Sequence, residues 1–174
     1  MLKQGFTDWE LLIVSDGCEK TIELCTPYLE SDDRIRLFKL PKQKEWSGKV
    51  RNTGIVGAKG EYIIYLDVDD YFGLNHLHNL NRELIKTGNP GWAYFDDWLA
   101  DKEGVFSPRV CEIAKKCKCG TSNIVHKKNL GVYWLDESYY HDWYFICDLW
   151  TTGDGVKING GEYMVCHFPN ICDI

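Results

Sequence analysis

An apolar run that ends in a group of carboxylates places the strongest constraint on how this chain can fold. Residues Tyr62 to Leu66 contain two isoleucines and two tyrosines, the composition of a strand buried on both faces. Asp67, Asp69 and Asp70 follow at once. In an extended chain, Asp67 and Asp69 would point to one face of the sheet and Asp70 to the other. Because ligands of open α/β sheets bind beyond the carboxyl ends of the strands, the run predicts a ligand site there.

These carboxylates would suit a divalent cation. Two carboxylates held together raise each other's pKa unless a cation lies between them. Mg²⁺ and Mn²⁺ take one or two carboxylates together with the oxygens of a bound phosphate. The alternative is that the aspartates form a turn or cap the next helix, since Gly73-Leu74-Asn75 follows Asp70 closely. Both a metal–phosphate site and a plain turn stay open from this stretch alone.

Length, composition and charge limit the class of protein. The 174 residues suffice for one domain with its own core, and 44% hydrophobic content excludes a disordered chain. The net charge is −6 and the basic residues form no large group, so nucleic acid is not an expected partner. No apolar run approaches the ~20 residues that span a bilayer, and no signal-peptide core is present. We therefore expect a cytoplasmic protein without a membrane-spanning segment, either free or peripheral to a membrane.

The eight cysteines raise the question of disulfides or zinc. No pair has the spacing of a zinc knuckle, and the densest group is Cys111, Cys117 and Cys119. Without a secretory signal, the sequence favours free thiols, with a zinc site as a less favoured alternative.

Hydrophobic periodicity and turn residues predict alternating strands and helices. In the first half, the predicted elements are strands over 10–15, 34–40 and 62–66, and helices over 21–29, 48–59 and 74–87. The order up to the third strand is the βαβαβ pattern of a nucleotide-binding half-sheet. In the second half, the predicted elements are strands over 92–99 and 121–126, a helix over 141–152, and a hairpin from 156–158 and 163–168.

Several short motifs occur in an order that is typical of one known family. They are Asp16-Gly17 after a strand, Arg51-Asn52-Thr-Gly54-Ile55, Ala58-Lys-Gly60-Glu61-Tyr62-Ile63, Leu66-Asp67-Val-Asp69-Asp70, and His141-Asp142-Trp143 at a helix start. Over residues 6 to 152 the chain thereby resembles the family 2 glycosyltransferases with the GT-A fold. The resemblance implies an α/β, Rossmann-like nucleotide-diphospho-sugar transferase sandwich, with a mixed sheet flanked by helices. It implies a single domain over 1–174, with a nucleotide-binding half over 1–91 and an acceptor-side half over 92–174.

The resemblance also implies roles for residues that would hold the donor. Asp16 would hydrogen-bond the nucleotide base, Arg51 would contact the nucleotide, and Asp67 would touch the ribose or the metal shell. Asp69 would bind the Mn²⁺ or Mg²⁺ that bridges the donor diphosphate, and His167 would be a further metal ligand. From the residues alone, Asp16 could be a turn former, Arg51 a helix-surface residue and His167 a structural histidine.

Asp142 stands where the family places its catalytic base. Such a carboxylate removes the proton of the acceptor hydroxyl as that hydroxyl attacks the anomeric carbon. The metal offsets the charge on the departing nucleoside diphosphate, and attack from the opposite face would invert the anomeric centre. From the residues alone, Asp142 could instead be the N-cap of its helix.

The implied function is metal-dependent, inverting transfer of a sugar from a nucleotide-sugar donor to a hydroxyl of a glycan, lipid or protein. The sequence does not predict the donor sugar or the oligomeric state. One alternative is a non-catalytic or degenerate nucleotide-sugar-binding relative. The other is a sugar-phosphate nucleotidyltransferase, which usually needs a glycine-rich loop with a basic residue after the first strand, and no such loop is visible.

Three departures from the family pattern motivate the first alternative. The motif Gln4-Gly-Phe6-Thr-Asp8-Trp9-Glu10 almost opens the sequence, so the usual first strand is missing and we expect a truncated chain, an alternative start or a degenerate protein. The usual Asp-Asp-Gly-Ser is replaced by Ser15-Asp16-Gly17-Cys18. The usual Glu-Asp is replaced by His141-Asp142, which keeps the expected base.

Overall fold

The chain folds into helices and short strands that alternate along most of its length. The computed structural model describes residues 1–43, 47–116, 118–136 and 140–166. The helices in these ranges are α1 (Glu19–Ser31), α2 (Gly48–Gly57), α3 (His76–Lys86) and α4 (His141–Thr151). The strands are β1 (Leu11–Asp16), β2 (Ile35–Leu40), β3 (Tyr62–Ile64), β4 (Tyr71–Phe72), β5 (Trp92–Tyr94), β6 (Asp97–Ala100), β7 (Phe106–Arg109), β8 (Ile124–Lys127), β9 (Val156–Lys157) and β10 (Tyr163–Val165).

The described strands form three sheets. β1 and β2 pair in parallel, with Leu11 opposite Ile35 and Asp16 opposite Leu40. A central sheet has the order β3-β8-β5-β9, in which β8 is antiparallel to both neighbours and β5 is parallel to β9. A third sheet has the order β4-β10-β6-β7 and also mixes both directions. The predicted mixed α/β class is confirmed.

The predicted nucleotide-binding half-sheet is only partly correct. β1 and β2 pair in parallel as expected, but β3 pairs with β8 from the second half of the chain and not, within the described residues, with β1 or β2. β3 is also shorter than predicted and half-buried, where a strand buried on both faces was expected. An edge position explains this, because one side of an edge strand has no neighbour to cover it.

Two other predicted elements are divided between sheets. The predicted strand over 92–99 is split into β5 in the central sheet and β6 in the third sheet. The predicted C-terminal hairpin is wrong, since β9 pairs with β5 whereas β10 pairs with β4 and β6. The connection between β9 and β10 therefore crosses from one sheet to another, and local turn residues cannot reveal that.

Two apolar clusters cover the two faces of the central sheet. On one side α4 contributes Phe145, Ile146 and Leu149, and on the other α3 contributes Leu80 and Leu84. Successive residues of β8 alternate between these clusters, because side chains of a strand point to opposite faces. α3 and α4 thus flank the central sheet, and each of the two is held by the apolar face that it buries.

Cys111 and Cys119 form a disulfide, with their Cα atoms 5.3 Å apart. The prediction of free thiols is therefore wrong for this pair, whose spacing matches no simple motif. The other described cysteines are free. The described ranges contain no helix with the length and hydropathy of a membrane span, and the cytoplasmic location stays a prediction.

Candidate active site

The three carboxylates after β3 lie in a turn, so their side chains do not alternate as in a strand. Val68 and Asp69 form the turn, and the Asp70 amide donates a hydrogen bond to the Asp67 carbonyl oxygen (3.1 Å). Asp69 is exposed and Asp67 is partly buried. The predicted arrangement of two carboxylates on one face of an extended strand is wrong, because the strand has already ended at Ile64.

Asp70 faces the protein and connects the turn to β10. Its Oδ1 accepts a hydrogen bond from the Cys166 amide (2.8 Å). Burial raises the pKa of Asp70, and the negative charges of Asp69 and Asp67 raise it further. Asp70 is not the cap of the next helix either, because the N-cap of α3 is Asn75. Of the three carboxylates, Asp70 is thus the structural one.

Arg51 of α2 joins two of the predicted site residues. Its Nη2 donates to Asp67 Oδ1 (3.3 Å), and its Nη1 lies 3.9 Å from Asp142 Oδ1. Nη1 also donates to Ser47 Oγ (2.7 Å), and the guanidinium lies 4.7 Å from the ring centre of Trp134. With only 15% of its side chain exposed, Arg51 is not a helix-surface residue. Residues far apart in the sequence are therefore neighbours in one site.

Asp142 lies in the first turn of α4, and 35% of its side chain is exposed. The N-cap of α4 is Tyr140, so the capping alternative for Asp142 is wrong. Oδ1 is 3.3 Å from His141 Nε2 and accepts a hydrogen bond from Thr121 Oγ1 (3.3 Å). On the other side, a Cβ atom at Gly120 would come within 3.3 Å of Oδ2, so the glycine permits the close approach of the carboxylate.

The surroundings of Asp142 raise its pKa above the ordinary value of an aspartate. Burial raises the pKa of Asp142, whereas the nearby charges of His141 and Arg51 lower it and that of Asp67 raises it. The net direction is upward, which strengthens the carboxylate as a base. A raised pKa is the direction expected of a carboxylate that serves as a general base.

Asp16 is held at the carboxyl end of β1. Gly17 has a φ of 68°, and the chain turns there after the strand. Lys42 Nζ and the Gln43 amide donate to the two carboxylate oxygens (2.8 and 2.7 Å). These contacts, the hydrogen bond from Lys42 above all, lower the pKa of Asp16. The described hydrogen bonds and ion pairs of Asp16 do not reach Arg51, so Asp16 lies outside the Arg51 group.

The sequence did not predict how the Trp134 ring is held against the Arg51 guanidinium. Asn52 fixes the backbone of Trp134, because its side chain donates to the Trp134 carbonyl and accepts from the Trp134 amide, both at 2.8 Å. The Trp134 ring stacks on Phe145 with centroids 3.9 Å apart. Asn52 could have been noticed, since it follows Arg51 in the quoted motif. Trp134 had no such signal, because its partners lie far away in the sequence.

A buried chain of hydrogen bonds fixes the indole N–H of Trp134. Trp134 Nε1 donates to the Tyr65 hydroxyl (2.9 Å), which lies 2.6 Å from His126 Nε2. His126 Nδ1 faces the Lys127 carbonyl oxygen at 3.1 Å and so carries the proton, which makes Nε2 the acceptor for Tyr65. Burial lowers the pKa of His126 to about 4, so the ring is neutral. The chain is fully satisfied and fixes the surface on which Arg51 rests.

The described residues contain no group of three or more His, Cys, Asp or Glu side chains arranged to hold a metal ion. Asp67 Oδ1 is occupied by Arg51, and Asp70 Oδ1 by the Cys166 amide. Metal binding at Asp69 therefore stays a prediction. The predicted metal ligand His167 lies outside the described residues.

Comparison with known families and proteins supplies an independent view. The sequence profile described as "Glycosyl transferase family 2" matches residues 1–94. An uncharacterised glycosyltransferase of Haemophilus influenzae is 34% identical over 102 residues, which cover 55% of this chain and 40% of that protein. The GalNAc(5)-diNAcBac-PP-undecaprenol beta-1,3-glucosyltransferase of Campylobacter jejuni is 30% identical over 106 residues, which cover 60% of this chain and 33% of that protein. The chain thus spans well under half the length of these relatives.

Solved structures of S. aureus TarS share the fold. TarS 1–349 in complex with UDP has a TM-score of 0.77 at 16% identity, covering 96% of this chain and 54% of the TarS chain. TarS 1–349 in complex with UDP-GlcNAc has a TM-score of 0.76 at 16% identity, covering 95% and 52%. The likeness extends over both halves of the chain, including the parts that the family profile does not reach.

Proposed function

Because this chain belongs to glycosyl transferase family 2 and has the GT-A-type fold predicted from its sequence, we propose that it transfers a sugar from a nucleotide-sugar donor to a hydroxyl acceptor. The observation that carries the proposal is the Arg51 bridge, which brings the donor-side Asp67 and the candidate base Asp142 into one site. We further propose that the transfer depends on a divalent metal and inverts the anomeric centre.

Asp142 accepts the proton of the attacking hydroxyl. The described hydrogen bond and ion pairs of its carboxylate all reach Oδ1, so we assign proton acceptance to Oδ2. The raised pKa of Asp142 makes the carboxylate a stronger base than an exposed aspartate. Thr121 on one side and Gly120 on the other also limit rotation of the carboxylate.

The donor lies on the other side of Arg51. Asp69, with Asp67 beside it, would hold Mn²⁺ or Mg²⁺, and the ion would offset the charge that builds on the departing nucleoside diphosphate. The Arg51 guanidinium supplies fixed positive charge next to the same carboxylates and is positioned before the donor binds. Asp16, at the end of β1, would receive the base of the nucleotide.

The relatives suggest where to begin with substrates. TarS was solved with UDP-GlcNAc, and the Campylobacter jejuni relative is named for a glucosyl transfer to a lipid-linked glycan. We propose a uridine diphosphate sugar as donor and a glycan or lipid-linked glycan as acceptor. Both accord with the proposed metal at the turn after β3 and with Asp142 as the proposed base.

The test measures release of UDP from UDP-GlcNAc and UDP-glucose in the presence of Mn²⁺, with and without glycan acceptors. We expect Asp142→Asn to lower turnover by about 10²- to 10⁴-fold, the usual contribution of a general base. Asp69→Ala should also abolish the dependence of turnover on Mn²⁺. Asp154→Asn, an exposed aspartate after α4, serves as the matched control and should leave turnover unchanged.

Other outcomes would identify the rival functions. Binding of the nucleotide sugar in calorimetry without any turnover would favour a non-catalytic relative. Release of pyrophosphate from a nucleoside triphosphate would favour a nucleotidyltransferase. Undiminished turnover in both Asp69→Ala and Asp142→Asn would contradict the assignment of the site.

A further inference from the structure

Thr121 connects the two charged side chains that the proposed reaction needs. Its hydroxyl accepts a hydrogen bond from Arg51 Nη2 (3.1 Å) and donates one to Asp142 Oδ1 (3.3 Å). The direction of both bonds is fixed, because a guanidinium can only donate and a carboxylate can only accept. Arg51 itself lies 3.9 Å from the same carboxylate oxygen, beyond hydrogen-bond distance. Thr121 therefore provides the hydrogen-bonded path between them.

The turn that carries Thr121 is fixed to the third sheet by its next residue. Thr121–Asn123 form a 3-10 turn that is buried throughout. Ser122 Oγ donates to Asp97 Oδ2 (2.7 Å), and the side chain of Asp97 is fully buried. Arg109 of β7 donates to both oxygens of the same carboxylate. Leaving the buried Asp97 carboxylate without these partners would strongly destabilise the folded protein. The hydrogen bonds therefore hold the turn in place.

Two further contacts fix the ends of the turn. Asn123 Nδ2 donates to the Phe95 carbonyl (3.0 Å), and its Oδ1 accepts from the Gly120 amide (3.1 Å). The disulfide between Cys111 and Cys119 closes the preceding loop immediately before Gly120. The Thr121 hydroxyl is thus presented by a rigid segment and has little freedom to leave Asp142.

We propose that Thr121 is a positioning residue for the proposed glycosyl transfer. The Thr121 hydroxyl holds Oδ1 of Asp142 and so directs Oδ2 toward the acceptor. It also prevents a rotation of the carboxylate that would exchange the two oxygens. This assignment rests on the proposed function, because Thr121 would act on the reaction only through the proposed base Asp142. It predicts that the hydroxyl contributes to turnover and not to donor affinity, because Arg51 keeps its bonds to Ser47 and Asp67 without it.

The test compares three variants in steady-state turnover and in calorimetric binding of UDP. Thr121→Val keeps the shape of the side chain and removes the hydroxyl, whereas Thr121→Ser keeps the hydroxyl. Thr53→Val is the matched control on α2, because within the described residues its hydroxyl bonds the Lys49 carbonyl of the same helix and no other group. We expect Thr121→Val to lower kcat on the order of 10- to 100-fold, the value of a hydrogen bond to a charged group. Its KM for the donor and its affinity for UDP should stay unchanged.

Thr121→Ser should recover most of the lost kcat, and Thr53→Val should behave as the unchanged protein does. Equal kcat in the unchanged protein and in Thr121→Val would overturn the positioning role while leaving the proposed function standing. Equal losses in the Val and Ser variants would overturn it as well, since the hydroxyl would then not be the cause. A fall in UDP affinity that accounts for the loss would assign Thr121 to donor binding instead. No turnover in the unchanged protein would overturn the proposed function, and the positioning role with it.

Discussion

Replacing Tyr65 by Phe would remove one hydroxyl and leave two buried groups without their partners. Trp134 Nε1 would lose its acceptor and His126 Nε2 would lose its donor. Trp134 and His126 are 3% and 1% exposed, so water cannot easily replace the hydroxyl. An unsatisfied buried polar group costs about 1–3 kcal/mol, which gives a loss of about 2–6 kcal/mol for the pair. For a chain of this size, that corresponds to a fall in Tm of about 4–24 °C.

The assay is thermal and urea unfolding of the unchanged protein, Tyr65→Phe and Tyr28→Phe. Tyr28 lies on α1 with about half of its surface exposed, so its variant should unfold as the unchanged protein does. The double variant Tyr65→Phe/Trp134→Phe should be less destabilised than the two single variants added together, because the replaced Trp134 no longer needs an acceptor. A Tyr65→Phe protein as stable as the Tyr28→Phe control would refute the reasoning, since the hydroxyl would then satisfy neither neighbour.

Two further predictions concern the disulfide and the buried histidines. Replacing Cys111 and Cys119, eight positions apart, by Ala should lower the free energy of unfolding by about 2.5 kcal/mol through loop closure and lower Tm by about 5–10 °C. A reducing agent should lower the Tm of the unchanged protein by the same amount and leave that of the variant as it is. Equal Tm values for all forms would contradict the disulfide. Burial holds the pKa of His76 at about 3 and that of His126 at about 4, both below the ordinary 6.5, so the unfolded chain takes up more protons and stability falls as the pH drops from 6.5 towards 4. Urea unfolding should show a loss of roughly 3–4 kcal/mol between pH 7 and pH 5, and an unchanged midpoint would show that the histidines are not buried in the neutral form.

The sequence predicted local structure well because that structure depends on local patterns. β1, β2 and the four helices were all expected from apolar spacing, with ends that differ by a few residues. The pairing of strands was harder to predict. Whether β3 lies next to β1 or next to β8 depends on contacts across the whole domain, and no turn or periodicity near β3 records them.

The candidate site shows the same contrast between residues that local motifs predict and residues that only the fold brings together. The motifs identified Arg51, Asp67 and Asp142, and the structure brings these three together. Thr121 was missed, and the position of Trp134 beside Arg51 was not foreseen, because a lone threonine or tryptophan has many structural uses and only the fold shows that they lie beside Arg51. The disulfide was missed for a related reason, since free thiols were inferred from the absence of a secretory signal rather than from the distance between the two cysteines.

The separation of β1 and β2 from the other strands has a consequence for how tightly a nucleotide is held. This two-stranded unit packs against α2 and against α1, in which no residue is fully buried, so local opening on the α1 side should cost less free energy than global unfolding. Amide hydrogens of β1 and β2 should therefore exchange with solvent before those of β5 and β8. Because the proposed contact of Asp16 with the nucleotide base lies in this unit, substitutions that loosen α1 enough to populate the open form would weaken donor binding without touching any atom of the donor.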